Sequence, residues 1–236
     1  MKYDKISMQQ LCALEIKISL PFYKIAYAVF FVVVLSLVRG VVYTFEIGIA
    51  LEAPMAILAA SFCADTYTQE IISKRSEIWR LYPMKKRMHC ICRRIVIQEI
   101  FLLSVAVIGY GLFFLFQNPR TLNIGQNITE NQAEIRQLFI YFAAITVTLG
   151  FWGLLSNLLS SLFRNMWMGI AGSLMLWLIT NSSFGDRYLG AWNLFSYTFR
   201  NVGNSSDFSW ICGKIVCIGI GIMMVAVLPE VNEKRG

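Results

Sequence analysis

The sequence predicts an all-α integral membrane protein with six transmembrane helices, and three observations carry that prediction. Apolar residues make up 57% of the 236-residue chain and charged residues only 15%, against about 25% charged in an ordinary soluble domain. That leaves too little polar surface to coat a soluble globule of this length. The apolar residues also gather into runs that approach or exceed the roughly 20 residues a helix needs to cross about 30 Å of hydrocarbon. A soluble core would show shorter stripes at a period of 3.6 or 2. Finally, the basic residues sit at the ends of those runs. The net charge of +7 therefore reads as a basic membrane face and not as a nucleic-acid surface.

Residues 1–19 come first. Ile6, Met8, Leu11, Leu14 and Ile18 recur at near-helical spacing, with Lys2, Lys5, Glu15 and Lys17 largely off that stripe. The pattern predicts an amphipathic helix on the membrane interface; the alternative is a frayed terminus. No small-residue cleavage site follows this polar leader, so the first apolar run is expected to be a retained span and not a signal peptide.

The predicted spans are 21–38, 47–64, 95–116, 138–163, 166–179 and 208–228, forming one transmembrane domain over 1–236. Lys24 and Arg39 bracket the first. Glu52 and Pro54 lie in the second, which is therefore not a simple lipid-facing helix. The fifth is short, with Asn165 and Asn181 near its ends. Gly169, Gly172, Gly213, Gly219 and Gly221 allow close helix packing.

Orientation follows from the lysines and arginines. With the N-terminus inside, fifteen fall on inside segments and five on outside ones. Positive charge collects on cytosolic loops, so both termini are predicted to be cytosolic. Of the outside segments, 117–137 is polar and Asn-rich, with Pro119 and Gly125, and reads as a loop. Residues 189–199 read LGAWNLFSYTF, which is aromatic but too short to cross. A re-entrant or interfacial hairpin before the sixth span is expected, because irregular backbone at membrane depth must be shielded by protein. The alternative is an aromatic belt.

The inside segment between spans two and three, residues 65–94, holds no Gly and one proline, Pro83. Ile71, Ile72, Ile78, Leu81 and Tyr82 suggest short helices broken at Pro83. Trp79 and Leu81, set among charges, read as a docking knob.

Catalytic inventories are missing from the sequence. His89 is the single histidine and sits in a basic cluster, where a solvated role is expected. No HExxH zinc motif, no Gly-x-Ser-x-Gly elbow and no phosphate-binding loop occur. Catalytic and metal-binding residues are therefore not expected. Cys12, Cys63, Cys90, Cys92, Cys212 and Cys217 are expected to be buried apolar residues or reduced thiols.

Two charges fall well inside apolar runs. Glu52 and Lys214 each lie roughly 8–9 Å below the outer end of their spans. An isolated charge at that depth costs several kcal/mol unless it snorkels or pairs. The expectation is that they face the protein interior and neutralise each other, with independent snorkelling as the alternative. Gln98 and Glu99, at the start of span three, are expected to meet Arg93 or Arg94.

Residues 70–87 read EIISKRSEIWRLYPMKKR. With the six-span layout, this segment resembles the permease subunit of ATP-binding-cassette exporters of the type 2 class. Members show a Glu, a basic residue, a tight turn, an apolar pair, then Pro followed by basic residues. Glu77, Leu81, Pro83 and Lys85 fit, whereas residues 73–76 lack the usual Gly. The resemblance implies that this loop is a cytosolic coupling helix, with Arg75, Glu77, Trp79, Arg80, Leu81 and Pro83 bearing on a separate ATPase subunit that holds ATP and Mg. It also implies a second permease chain, identical or not, in a bacterial cytoplasmic membrane. The cargo it suggests is an amphipathic peptide, such as a toxin or antimicrobial, or a hydrophobic drug. Two other readings stay open: a substrate-binding subunit of vitamin uptake, and a non-transporting membrane scaffold or sensor.

Overall fold

The computed structural model describes residues 8–44, 46–66, 68, 84–119, 130–195 and 209–235. The regular elements among them are helices: α1 (Met8–Ser19), α2 (Phe22–Val38), α3 (Glu46–Cys63), α4 (Met84–Gln117), α5 (Glu130–Phe163), α6 (Met166–Thr180), α7 (Ser183–Leu189), a single 3₁₀ turn (Gly190–Trp192) and α8 (Ser209–Arg235). No strand occurs among the described residues.

Among the described residues, four stretches are long and apolar enough to cross a membrane: Glu46–Cys63, His89–Gln117, Leu138–Phe163 and Trp210–Val231. A fifth arises if the end of α1 and α2 count together, bent by 59°. The bend follows from Pro21. It sits at the head of α2 with φ −65° and ψ 149°, and the residue before a proline is pushed out of the α region. The expected fifth span is α6, with 15 residues and a length of about 22 Å at 1.5 Å per residue. The chain is thus an all-helical protein with four to five apolar helices compatible with a transmembrane protein.

One expectation is corrected by the helix boundaries. Residues 117–137 are not loop throughout, because α5 already begins at Glu130. The stretch from Glu130 to Gln137 has no Gly or Pro and is rich in Glu, Gln and Ala, all strong helix formers.

Helix α3 is the axis of the bundle. Of its apolar window 67% is buried, against 28% for α4. It packs on α2, α4, α5 and α6, while α5 also carries α8. Pro54 interrupts its backbone ladder, and the Trp177 indole of α6 donates to the neighbouring Ala53 carbonyl at 2.8 Å. Helices α5 and α6 touch closely, since a Cβ on Gly169 would lie 2.5 Å from the Ser156 carbonyl.

Polar contacts show which helix ends lie together. Gln98 of α4 donates to the Ser19 carbonyl at the end of α1 and accepts from Thr66, just past α3. At the opposite end, Gln117 donates to the Ser36 and Arg39 carbonyls and accepts from Val41 N–H. Successive helices α2 to α4 therefore run antiparallel. Ser156 donating to the Ala60 carbonyl and Leu228 packing on Ile91 and Ile95 extend the alternation to α5 and α8. One end of the bundle gathers Lys24, Arg93, Arg94 and Arg164; the other carries Arg39 and Arg187.

Candidate functional site

The most elaborate polar arrangement lies inside the bundle, nearer the end that carries Arg39. Glu52 comes from α3, Thr148 from α5 and Lys214 from α8. All three side chains are buried: Lys214 is 4% exposed, Glu52 7% and Thr148 1%. Lys214 Nζ forms an ion pair with Glu52 Oε1 and donates to Thr148 Oγ1 at 2.8 Å. Thr148 Oγ1 in turn donates to Glu52 Oε1 at 2.7 Å. A fourth element joins them, because the Leu194 carbonyl accepts from Lys214 Nζ at 3.4 Å.

This arrangement meets the condition under which a buried ion pair is tolerated. Desolvating each ion costs several kcal/mol, recovered only with good geometry and further hydrogen bonds. Thr148 and Leu194 supply those bonds. Thr148 can do so because residues 144, 148 and 152 lie one above another on the inner face of α5. Residues 193–195 reach the interior because the 3₁₀ turn folds the chain back. Gly190 there has φ +51°, a conformation that favours glycine. Asn193 then donates to the Thr180 carbonyl at 2.8 Å, and Phe195 stacks on Trp152 with ring centroids 5.5 Å apart. The aromatic segment expected before the last span is thus partly built into the core. Residues 196–208 lie outside the described residues.

The pairing expected of Glu52 and Lys214 is present. Two further buried pairs, not expected, lie at the basic end. Lys24 of α2 pairs with Asp65, donates to the Phe62 carbonyl at 2.8 Å and stands 5.0 Å from the centre of the Phe62 ring. Arg94 Nε pairs with Glu15 Oε2 at 2.7 Å. The expectation for Gln98 and Glu99 is corrected accordingly: neither meets Arg94, which Glu15 engages. Gln98 bridges Thr66 and Ser19, while Glu99 faces a groove between α4, α5 and α8. Among the described side chains of α1, Glu15 and Ser19 are buried against the bundle while Leu14 and Ile16 are exposed. Each of these four charges sits near the end of an apolar run, where the sequence carries no signal of burial.

The proposed coupling residues Arg75, Glu77, Trp79, Arg80, Leu81 and Pro83 lie outside the described residues. His89 is exposed at the first turns of α4. Cys63, Cys90, Cys92, Cys212 and Cys217 are free thiols, with Cys63 and Cys217 buried. No cluster of three or more His, Cys, Asp or Glu able to hold a metal occurs among the described residues. Chemically, the three charge pairs tie α1 to α4, α2 to the end of α3, and α3 to α8.

No known protein family, curated protein or solved structure matches this chain.

Proposed function

We propose that this chain is the membrane-spanning subunit of an ATP-driven exporter, working with a separate cytosolic ATPase and a second permease chain. In this reading six segments cross the cytoplasmic membrane of a bacterium, α2 and α6 being the two short ones, and both termini are cytosolic. The exported cargo is an amphipathic peptide or a hydrophobic drug. ATP and Mg belong to the ATPase, and this chain transmits motion.

The observation that carries the reading is where the connection between α3 and α4 leaves the bundle. It departs at the end where Lys24, Arg93 and Arg94 gather, and positive charge favours the cytosolic side. The stretch with Arg75, Glu77, Trp79, Arg80, Leu81 and Pro83 falls within that connection, so an ATPase would find it on the face it can reach. The buried pairs add support, because they couple that end of α3 to α2 and its other half to α8.

Co-purification tests this. Tagged protein expressed in its own cells is expected to retain an ATPase subunit in mild detergent. The double variant Trp79→Ala and Glu77→Lys is expected to lose it while still eluting as a folded membrane protein. Undiminished ATPase capture by the double variant would overturn the coupling assignment.

A further inference from the structure

We propose that the groove between α4, α5 and α8 binds a lipophilic monovalent cation, with Glu99 as its counter-charge. The groove is open along one side and offers about 400 Å³, within the roughly 300–1,000 Å³ of small-molecule sites. Val147, Phe151, Leu154, Ile222 and Val225 form apolar walls. Of the polar groups in the lining, the Thr146 hydroxyl donates to the Phe142 carbonyl in its own helix, and the Cys217 thiol is directed at the Leu194 carbonyl. Among the described residues, Glu99 is the only charged one in the lining.

What singles out Glu99 is that the other interior acids are matched. Glu15 has Arg94, Glu52 has Lys214 and Asp65 has Lys24. Among the described residues no hydrogen bond or ion pair reaches the Glu99 carboxylate. It lies four residues inside the predicted span 95–116, about 6 Å along the helix from its basic end. A carboxylate left unmatched inside a span is costly and marks a candidate functional position.

The backbone around it leaves room for both the carboxylate and a ligand. A Cβ on Gly150 would lie 2.8 Å from Glu99 Oε1, whereas nothing stands within 4 Å of a Cβ on Gly221. Glu99 therefore rests against α5, and the α8 side of the groove is open. A lipophilic cation meets both features. Its apolar arms match the walls, and its diffuse charge is weakly hydrated, so leaving water is easy. A divalent metal would need six or more oxygen ligands where one carboxylate is available. A neutral lipid chain would fill the walls and leave the charge unmatched. The site requires no ATPase and stands apart from the exporter reading.

Equilibrium dialysis tests it. The full chain in nanodiscs of neutral phosphatidylcholine is dialysed against radiolabelled tetraphenylphosphonium, with empty nanodiscs as the blank. Saturable binding above the blank is expected. Glu99→Gln, which keeps the side chain's size, is expected to weaken it at least about tenfold. Gly221→Phe, which fills the groove and leaves Glu99 in place, is expected to abolish it. Tetraphenylborate has the same shape with opposite charge and is expected not to saturate. Should Gly221→Phe fail to elute as a folded protein, Glu99→Gln and tetraphenylborate decide. No saturable binding by the wild type, unchanged affinity in Glu99→Gln, or saturable tetraphenylborate binding would each overturn the proposal.

Discussion

Lys214 of α8 and Glu52 of α3 form an ion pair in the bundle interior, 162 residues apart in sequence. Thr148 of α5 bonds to both partners. The triad therefore joins three helices through one desolvated contact. Such a contact tolerates little sliding, because separating the ions without water leaves each one uncompensated.

Removing one partner of this pair should be far worse than removing both. Lys214→Met leaves Glu52 buried with only Thr148, and breaking a buried pair in this way costs about 3–5 kcal/mol. The double variant Glu52→Gln with Lys214→Met should recover to within about 1–2 kcal/mol of the wild type. Reversible unfolding in mixed micelles measures all three proteins. Additive losses in the double variant would show that the two residues act independently.

The folded-back segment makes a second prediction. Phe195 is 4% exposed and stacks on Trp152, which is itself buried. Phe195→Ala should cost about 3–5 kcal/mol, as large-to-small core changes do. Trp192, three residues earlier, is 59% exposed, and Trp192→Ala should stay within about 0.5 kcal/mol. The same unfolding assay separates them. Equal effects would mean that residues 193–195 do not form part of the core.

Much of this architecture is legible in the sequence because membrane burial is written as long apolar runs. The run at 138–163 coincides with the apolar window Leu138–Phe163. Glu52 and Lys214 were readable for the same reason, since a charge deep in such a run demands a partner. Lys24, Asp65, Arg94 and Glu15 were not, because each sits near a run end, where sequence alone makes a solvated charge the natural reading. Which face they occupy depends on helix rotation, and the apolar stripes here, hydrophobic nearly all round, do not encode it. The early start of α5 was hidden by its polarity: residues 130–137 are good helix formers without an apolar run.

Close packing of α5 on α6 gives a third prediction. A Cβ on Gly169 would lie 2.5 Å from the Ser156 carbonyl and 2.7 Å from Ser160 Cβ. Neither atom is the far end of a flexible side chain, so α6 must shift. Gly169→Ala should destabilise by about 1–3 kcal/mol. Gly219→Ala, with nothing within 4 Å of the added methyl, should be neutral within about 0.5 kcal/mol. Matched thermal melts in detergent compare the two. A harmless Gly169→Ala would show that the two helices are farther apart than these contacts require.

The last prediction concerns α6, whose 15 residues span only about 22 Å. A span this short crosses if the bilayer thins locally, at a modest cost per ångström of mismatch. The contacts set its direction in the bundle. Gly169 near its start meets Ser156 and Ser160 of α5, Trp177 reaches Ala53 of α3, and Thr180 at its end receives Asn193, so α6 runs back toward the Arg39 end. Single cysteines placed at the exposed positions His89, Asn118, Arg164 and Arg187, in a chain with its six native cysteines replaced, report the sides. An impermeant maleimide should label positions 89 and 164 from the cytosolic side and positions 118 and 187 from the outside. If position 187 labels with 164, α6 turns back within the bilayer. The 3₁₀ turn would then sit at the same side as Arg164, and the six-crossing reading would fail.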